Sequence, residues 1–534
     1  MQEDEFRDLA AWLQSGRHDW DTPAGAERLR KAAAVGLIDE SDVTGPALQT
    51  LKRADTELWR AADSNATPQD LARIIRAFSA PLALFAVANC ILPRLSVEIS
   101  LTTARRLLLR AFIEDLDAPT QATRLGFVAA LAQQCALNEY CYFQEADEDA
   151  WCATLAAKIR ATAATGEAVH PYALALLACY VAPLSVCAPE HLLPLSAVAE
   201  LTDLIERTVV EPLQERELAA RMPRLTAIED ATSRTVRAMY EENPYPRWRI
   251  GRRAKPVPAI EALWRMFPTM DKTAFGTPPR PHGLLAGCGT GQNVLRFCSL
   301  SGGADVTAID LSLASLSYAK RSTDRLGLAV NYAQADILAL GPQVGQFDII
   351  ESSGVLHHMA DPVAGWRALL SCLRPGGVMR IGLYSAAARV SVRDAWKFAN
   401  ALGVKSDVAG IRRFRREVIK QYWEHKQEPN APGQSYLAFL KGLDFYSTSM
   451  CRDLVFHVQE VQYTIAQVLS IIRDLDLTLL TLYFGNPKDQ QTYAERFPED
   501  PHRVSAACLL AFERECPDAF QRMINFGVQK PGAG

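Results

Sequence analysis

The spacing of apolar and polar residues divides the chain into two kinds of region. Before residue 230, apolar positions recur at helical spacing in a background rich in Ala and Leu, and strand-like alternation is nearly absent. Thr67, Pro68 and Asp70 form a typical helix start, with an N-cap, a proline at the first helical position and an acid at the third. These patterns predict an all-helical domain over residues 1–230.

After residue 281, short apolar runs alternate with helical segments. Runs at residues 284–286, 304–311, 330–337, 346–353 and 373–384 predict five strands, and residues 464–474 and 477–484 predict a further helix and a sixth strand. Strands that alternate with helices are typical of a parallel sheet covered on both faces. The predicted fold class is therefore an all-α N-terminal domain followed by an α/β doubly wound domain.

Two further segments complete the predicted domain organisation. Residues 231–281 are predicted to connect the domains, and the α/β domain over residues 282–534 is predicted to carry a helical insertion at residues 386–460. The connector includes Tyr240, Tyr245 and Trp248 together with two prolines, which favour a stiff, extended segment. This segment is either a simple connector or a lid over a ligand site.

The composition of the chain limits the class of protein, its partners and its cellular compartment. A chain of 534 residues is too long for a single hydrophobic core, so that more than one domain is expected. Its 49% hydrophobic and 22% charged residues are ordinary for a globular protein. The net charge of -4 argues against a general affinity for nucleic acid or anionic membranes, and no apolar run has membrane-spanning length. The N-terminus is acidic and unlike a signal peptide, and the 12 cysteines include no CxxC pair. We therefore expect a cytoplasmic protein with reduced cysteines and no metal site. No membrane or nucleic-acid partner is expected, and the sequence does not decide whether the chain forms a homo-oligomer.

A glycine-rich turn follows the first predicted strand. Gly287, Gly289 and Gly291 alternate with other residues before a predicted helix, and a carboxylate, Asp310, ends the next strand about 20 residues later. This arrangement suits a nucleotide-like ligand, because a glycine backbone lets the ligand approach and an acid can bind ribose hydroxyls. The dinucleotide fingerprint is not matched, since Gln292 stands where its third glycine is expected.

Together with the strands that follow, residues 282–384 resemble the class I S-adenosylmethionine-dependent methyltransferases, whose fold is Rossmann-like. The resemblance implies S-adenosylmethionine as cofactor, with the glycine turn beside its methionine and ribose, Asp310 on the ribose hydroxyls and Asp336 on the adenine amine. Leu285 departs from the acid that many members carry before the first glycine. The cofactor site so implied comprises Gly287, Cys288, Gly289, Gly291, Asn293, Asp310, Leu311, Asp336, Ile337, Ser352, Ser353 and Gly354. If the connector is a lid, Tyr240 and Tyr245 join this site.

Over its whole length the chain is similar to a bacterial group of proteins that join a helical domain to a methyltransferase domain. The similarity lies in the glycine turn and in residues 135–140, 243–248 and 451–460. Stacked helix pairs like tetratricopeptide repeats are compatible with the N-terminal pattern, but no clean period of about 34 residues is present. The polar residues at 133–140 lie inside an otherwise apolar helix. They form either an interhelical hydrogen-bond cluster with a purely structural role or a cluster with a function beyond structure.

Candidate catalytic residues follow the fourth strand or lie in the insertion. His357 and His358 either accept a proton from the acceptor or cap a turn; Asp453, His457 and Glu460 have helical spacing and are expected to share one helix face, catalytic or merely ion-paired. The acceptor is expected to be a protein side chain, slightly favoured, or a small metabolite. A non-catalytic scaffold that binds S-adenosylmethionine is the competing class. The basic run at residues 412–416 is interpreted as a solvated helix face.

Overall fold

The structure is a computed structural model and describes residues 3–14, 19–54, 67–114, 124–253, 257–300, 302–424, 435–520 and 523–533. The chain forms two compact units. The first comprises Met1–Glu215, Arg247–Arg252 and Lys397–Phe456, and the second comprises Arg216–Pro246, Arg253–Trp396 and His457–Gly534. Most of the segment predicted as an insertion of the α/β domain therefore belongs to the first unit, and the predicted connector is divided between the two.

Helices dominate the first unit. In chain order the first twelve are α1 (Glu3–Gln14), α2 (Pro23–Ala34), α3 (Glu40–Ala54), α4 (Pro68–Phe78), α5 (Pro81–Asn89), α6 (Leu95–Glu114), α7 (Leu125–Leu137), α8 (Ala146–Thr165), α9 (Pro171–Ala178), α10 (Pro189–Leu192), α11 (Thr202–Ile205) and α12 (Glu211–Arg221). Helices α7 and α9 are apolar on all sides and almost wholly buried, as expected for the centre of a helical core.

The remaining helices are α13 (Ala231–Glu242), α14 (Ala259–Met266), α15 (Lys272–Phe275), α16 (Gln292–Leu300), α17 (Leu313–Arg325), α18 (Pro362–Cys372), α19 (Val390–Ala401), α20 (Val408–Glu424), α21 (Thr448–Val455), α22 (Ile465–Asp474), α23 (Pro487–Arg496) and α24 (Ala506–Glu515). Helix α4 begins with the predicted cap, because Thr67 and Asp70 form a reciprocal capping box. Thr464 and Gln467 start α22 in the same way.

A seven-stranded mixed sheet lies in the second unit, with strand order β3-β2-β1-β4-β5-β7-β6. The strands are β1 (His282–Ala286), β2 (Asp305–Asp310), β3 (Asn331–Gln334), β4 (Phe347–Ser353), β5 (Leu373–Tyr384), β6 (Thr478–Tyr483) and β7 (Met523–Gln529). The first five are parallel, and β7 runs antiparallel to both β5 and β6. This Rossmann-like architecture confirms the predicted fold class, although β7 was not predicted.

All twelve cysteines lie in described parts of the chain, and none of them forms a disulfide. Within the described ranges, no single helix has the length and apolar composition to cross a membrane. Helices α4 and α5 would meet those two criteria only as a pair, and their axes differ in direction by 91°.

Candidate functional site

The strand order reverses between β1 and β4. Strands β2 and β3 continue to one side of β1, and β4 and β5 lie on the other. In open α/β sheets such a switch point is where ligands bind, beyond the carboxyl ends of the strands. Because β1 ends at Ala286, β2 at Asp310 and β4 at Ser353, the residues predicted for the cofactor site meet at this edge.

The three glycines of the turn after β1 have left-handed backbone conformations, with φ of 75°, 51° and 86° for Gly287, Gly289 and Gly291. A Cβ on Gly287 would lie 2.4 Å from Cγ2 of Val355, and one on Gly291 would lie 2.9 Å from Cβ of Ala319. These glycines are therefore required by the turn and by its protein neighbours, in addition to any ligand that approaches the backbone.

Asp310 joins the two turns of this edge. Its Oδ2 accepts a hydrogen bond of 2.8 Å from the Gly289 amide, and its Oδ1 accepts one of 2.9 Å from the Ser312 amide. Burial raises the pKa of Asp310, the nearby carboxylate of Glu241 raises it further, and the amide bonds oppose this shift. The carboxylate is thus fixed in position at the end of β2.

Glu241, at the end of α13, was not predicted as a site residue. Its carboxylate accepts hydrogen bonds from the amides of Leu313 (2.8 Å) and Ala314 (3.1 Å), the first residues of α17. The Ser312 hydroxyl also donates to the carbonyl of Tyr240 at 3.1 Å. The end of α13 is therefore fastened to the turn after β2, a contact between residues some 70 positions apart that no local pattern reveals.

The connector backbone lies against the glycine turn. The Thr290 hydroxyl donates a hydrogen bond to the Pro246 carbonyl, and the Tyr245 carbonyl oxygen lies 2.8 Å from where a Cβ on Gly289 would be. This placement suits the lid interpretation. Contact of the Tyr245 side chain with a cofactor stays a prediction.

Asp336 is buried beyond the end of β3. Its Oδ1 accepts from the Leu338 amide at 3.0 Å, and its own amide donates to the Thr226 hydroxyl at 2.8 Å. The neighbouring Leu225 amide donates to the Gln334 carbonyl at 2.9 Å, so that this segment pairs along β3. Asp336 is thereby held by a chain segment about 110 residues upstream.

The smaller members of the predicted cofactor site have distinct positions. Cys288 is buried, which raises the pKa of its thiol and keeps it protonated. Asn293 is the second residue of α16, and Ile337 is buried directly after Asp336. The Leu311 carbonyl accepts a hydrogen bond of 2.8 Å from the side-chain Nε2 of Gln334.

The carboxyl end of β4 carries three small residues. The Ser352 hydroxyl is buried and has no hydrogen-bond partner among the described residues. The Ser353 hydroxyl donates to Oδ1 of Asn525 at 3.3 Å, and Gly354 turns the chain with a φ of 80°. This end of the strand is therefore a turn with one buried hydroxyl still able to bond.

His357 is wholly buried after β4. Its Nδ1 accepts a hydrogen bond of 3.2 Å from the Tyr384 amide, and the two rings stack with centroids 3.7 Å apart. Because Nδ1 is an acceptor, the proton of the neutral ring is on Nε2. His357 is therefore poorly suited to accept a proton from a substrate.

His358 has the opposite tautomer. Its Nδ1 lies 2.9 Å from the Gln459 carbonyl, which can only accept, so that Nε2 carries the lone pair. His457 stacks on His358 with centroids 3.5 Å apart. In His457, Nδ1 accepts from the Gln459 amide at 3.1 Å, and Nε2 lies 3.3 Å from the Tyr240 hydroxyl. Of the three imidazoles, His358 is thus the one whose basic nitrogen is not engaged by these bonds.

Burial keeps the two histidines after β4 neutral. It lowers the pKa of His357 well below its usual range, and the neighbouring His358 and Arg389 lower it further. Burial also lowers the pKa of His358 to about 4, although the bond to Gln459 opposes this shift. At neutral pH both rings are therefore uncharged.

Glu460 forms an ion pair with Arg389. Arg389 donates to Oε1 of Glu460 at 2.8 Å and makes a second bond to Oε2. Gln462 donates to Oε1 as well, at 3.0 Å. The Arg389 guanidinium also lies over the Tyr384 ring, 3.7 Å from its centroid. With both oxygens bonded, Glu460 has the geometry of a structural partner and not of a proton acceptor.

The expectation that Asp453, His457 and Glu460 share one helix face is wrong. Asp453 is buried on α21, but this helix ends at Val455, and His457 and Glu460 follow in irregular structure of the second unit. The imidazole of His457 bonds to a backbone amide two residues later. Such a local bond competes with helix formation.

Part of the sheet region is similar in sequence to known methyltransferases. Residues 284–377 match the model of a family described as a methyltransferase domain. An uncharacterized protein of Synechococcus sp. is 34% identical over 173 residues, covering 32% of this chain and 41% of that protein. A ubiquinone biosynthesis O-methyltransferase of Marinobacter nauticus is 41% identical over 99 residues, covering 18% and 41%. The chain thus spans about two fifths of the length of these relatives.

Among solved structures, the chain is similar to PKMT2 from Rickettsia typhi in complex with AdoHcy. The TM-score is 0.40 at 15% sequence identity, and the similarity covers 54% of this chain and 55% of that chain.

Proposed function

We propose that this protein, which contains a class I S-adenosylmethionine-dependent methyltransferase domain, transfers a methyl group from S-adenosylmethionine to a hydroxyl group of a small molecule. One observation carries the proposal. A glycine turn and two fixed carboxylates at the ends of β1 to β3 share a sheet edge with a neutral imidazole, that of His358, placed after β4.

The residues at this edge fit the cofactor. Asp310 would accept from the ribose hydroxyls and Asp336 from the adenine amine, and the left-handed glycine turn exposes backbone to the ligand. S-adenosylmethionine supplies a methyl group on a positively charged sulfur. What the protein adds is alignment of the acceptor for in-line attack, and such positioning can contribute roughly 7–11 kcal/mol.

His358 is the proposed general base. A hydroxyl acceptor must lose its proton as it gains the methyl group, and a positioned base accelerates such a step by about 10²–10⁴-fold. His358 is neutral at physiological pH, and its Nδ1–H bond to Gln459 leaves the Nε2 lone pair for the acceptor. Tyr384 packs edge-on against the ring with centroids 5.5 Å apart and helps to fix its orientation.

The bonding of Glu460 does not favour a cationic acceptor. A protonated amine would be stabilised by an unpaired carboxylate, whereas Glu460 is bonded through both oxygens to Arg389. The similarity to ubiquinone biosynthesis O-methyltransferases, at 36–41% identity over about a hundred residues, also supports an oxygen acceptor. A protein side chain as acceptor rests only on the helical N-terminal region and its tetratricopeptide-like interpretation, and stays a prediction.

The test is to incubate the protein with S-adenosylmethionine labelled in the methyl group and a size-fractionated bacterial lysate. We expect label in the small-molecule fraction, in a linkage that resists mild alkali as a methyl ether does. Label in the protein fraction would overturn the proposed acceptor. Binding of S-adenosylhomocysteine without label in any fraction would instead identify a non-catalytic scaffold.

A matched pair of variants tests the base. Asparagine can replace the Nδ1 hydrogen bond of either histidine, as a donor to Gln459 or as an acceptor from Tyr384, but it provides no basic nitrogen. His358→Asn should lower the labelling rate about 10²–10⁴-fold and leave affinity for S-adenosylhomocysteine unchanged, whereas His357→Asn should lower the rate much less. Equal rates in the two variants would remove His358 from this role.

A further inference from the structure

The loop after α7, in the first unit, has an unusual backbone. Glu139 and Tyr140 are consecutive and both left-handed, with φ of 56° and 57°. Neither is a glycine, and side chains of this size are disfavoured in that conformation. Strained residues persist only where their surroundings hold them, and they cluster at binding sites and switches.

Two polar side chains beside this loop are buried without partners among the described residues. Asn138 is 0% exposed, and neither its Oδ1 nor its Nδ2 has a hydrogen-bond partner; Ser449 is 2% exposed, and its hydroxyl has none. In Gln134, by contrast, the amide orientation that its surroundings require lets Nε2 donate to the carbonyls of Cys90 (2.9 Å) and Val87 (2.8 Å). Because buried polar atoms are nearly always bonded, the unused capacity of Asn138 and Ser449 requires an explanation.

Three hydrogen bonds join Asn138 and Glu139 to Thr448 and Ser449. The Asn138 carbonyl accepts from the Thr448 amide at 3.1 Å, and the Glu139 carbonyl accepts from the Thr448 hydroxyl at 2.9 Å. The Glu139 carboxylate accepts from the Ser449 amide at 2.7 Å. The strained loop and the start of α21 are therefore joined at three points, and Asn138 and Ser449 belong to the two segments that are joined.

The charges at this junction are balanced. Glu139 Oε1 lies 3.3 Å from Nε of Arg247, so that the buried carboxylate has a cation beside it. An anionic ligand would meet the carboxylate and a cationic ligand would meet the guanidinium, which leaves a neutral polar ligand as the best fit. The Asn138 side chain offers an acceptor beside a donor, and its natural complement is another amide edge.

We propose that Asn138 and Ser449 form a binding site in the first unit for a neutral small molecule with a carboxamide edge. The ligand would pair its N–H with Oδ1 of Asn138 and its carbonyl with Nδ2, and its carbonyl could also accept from the Ser449 hydroxyl. The site is independent of methyl transfer.

The probes are nicotinamide and 3-acetylpyridine, which differ only by an amide nitrogen in place of a methyl carbon. We expect nicotinamide to raise the melting temperature of the full-length protein in a saturable manner, and 3-acetylpyridine to have no effect at equal concentration. Asn138→Leu should abolish the response to nicotinamide. Asn89→Leu is the matched control, since Asn89 already donates to the Phe85 carbonyl, and it should keep the response.

A measurement without ligand separates binding from structure. If Asn138 is retained for a ligand, Asn138→Leu removes two unbonded buried polar atoms and should raise the melting temperature by about 2–4 °C, with unchanged affinity for S-adenosylhomocysteine. If the residue instead serves the fold, this variant melts at a lower temperature. A lower melting temperature, or equal responses of the parent protein to the two probes, overturns the proposal. Ser449→Ala should weaken nicotinamide binding several-fold and provides the second variant.

Discussion

Replacement of His358 by asparagine should remove a pH dependence from the stability of the sheet. Burial lowers the pKa of His358 to about 4 in the folded protein, whereas the unfolded side chain titrates near 6.5. Between these values the unfolded state binds a proton that the folded state excludes. The free energy of unfolding therefore rises with pH across this window and is constant above it, and the difference corresponds to about 3 kcal/mol.

The assay is hydrogen exchange of the β5 amides near pH 4 and near pH 7, corrected for intrinsic exchange rates. Asparagine keeps a donor for the Gln459 carbonyl, so that the variant loses the titration and not the contact. We expect the stability lost on acidification to be smaller in His358→Asn than in the parent by up to about 3 kcal/mol. The exposed His502 supplies the control variant, His502→Asn, which should behave like the parent. Equal losses in parent and His358→Asn would refute the reasoning.

Three further predictions concern other parts of the sheet unit. Asp310→Ala should weaken S-adenosylhomocysteine binding by roughly 1.5–3 kcal/mol in calorimetric titration, and unchanged affinity in a folded variant would remove this residue from the site. Gly287→Ala, which places a Cβ 2.4 Å from Val355 at a φ of 75°, should lower the urea unfolding free energy by about 1–3 kcal/mol. Arg389→Met leaves the largely buried Glu460 without its cation and should cost about 3–5 kcal/mol in the same assay. Adding Glu460→Gln should recover part of this loss, and a fully additive double variant would contradict the pairing.

Much of the sheet could be predicted from sequence because its information is local. Each parallel strand is a short apolar run with a turn or an acid at its end, and the positions of Asp310 at the end of β2 and of Asp336 just beyond β3 were predicted in this way. The glycine turn was predicted for the same reason. Its steric requirement, however, comes from Val355 and Ala319, which are distant in sequence.

The parts that were missed depend on long-range contacts. Glu241 reaches the start of α17 only in the folded chain, and the roles of His357 and His358 are separated by which backbone group each ring bonds. The spacing of the charged residues at 453–460 predicted one continuous helix, but α21 ends at Val455. Beyond it, the His457 imidazole accepts a hydrogen bond from the Gln459 backbone amide, a local bond that competes with helix formation. Lys397–Phe456 belongs to the first unit because of tertiary contacts. The sequence predicted the helices of this segment but not the part of the chain against which they pack.

The position of β7 has a consequence for how the protein is made. This strand comes after β6 in the chain, yet it lies between β5 and β6, and its Ile524, Phe526 and Val528 are fully buried. During synthesis β5 therefore presents an unpaired, apolar edge until residues 523–529 have emerged from the ribosome. The nascent chain must be kept from edge-to-edge association over this interval, and a message truncated before residue 523 would yield a protein whose sheet stays open.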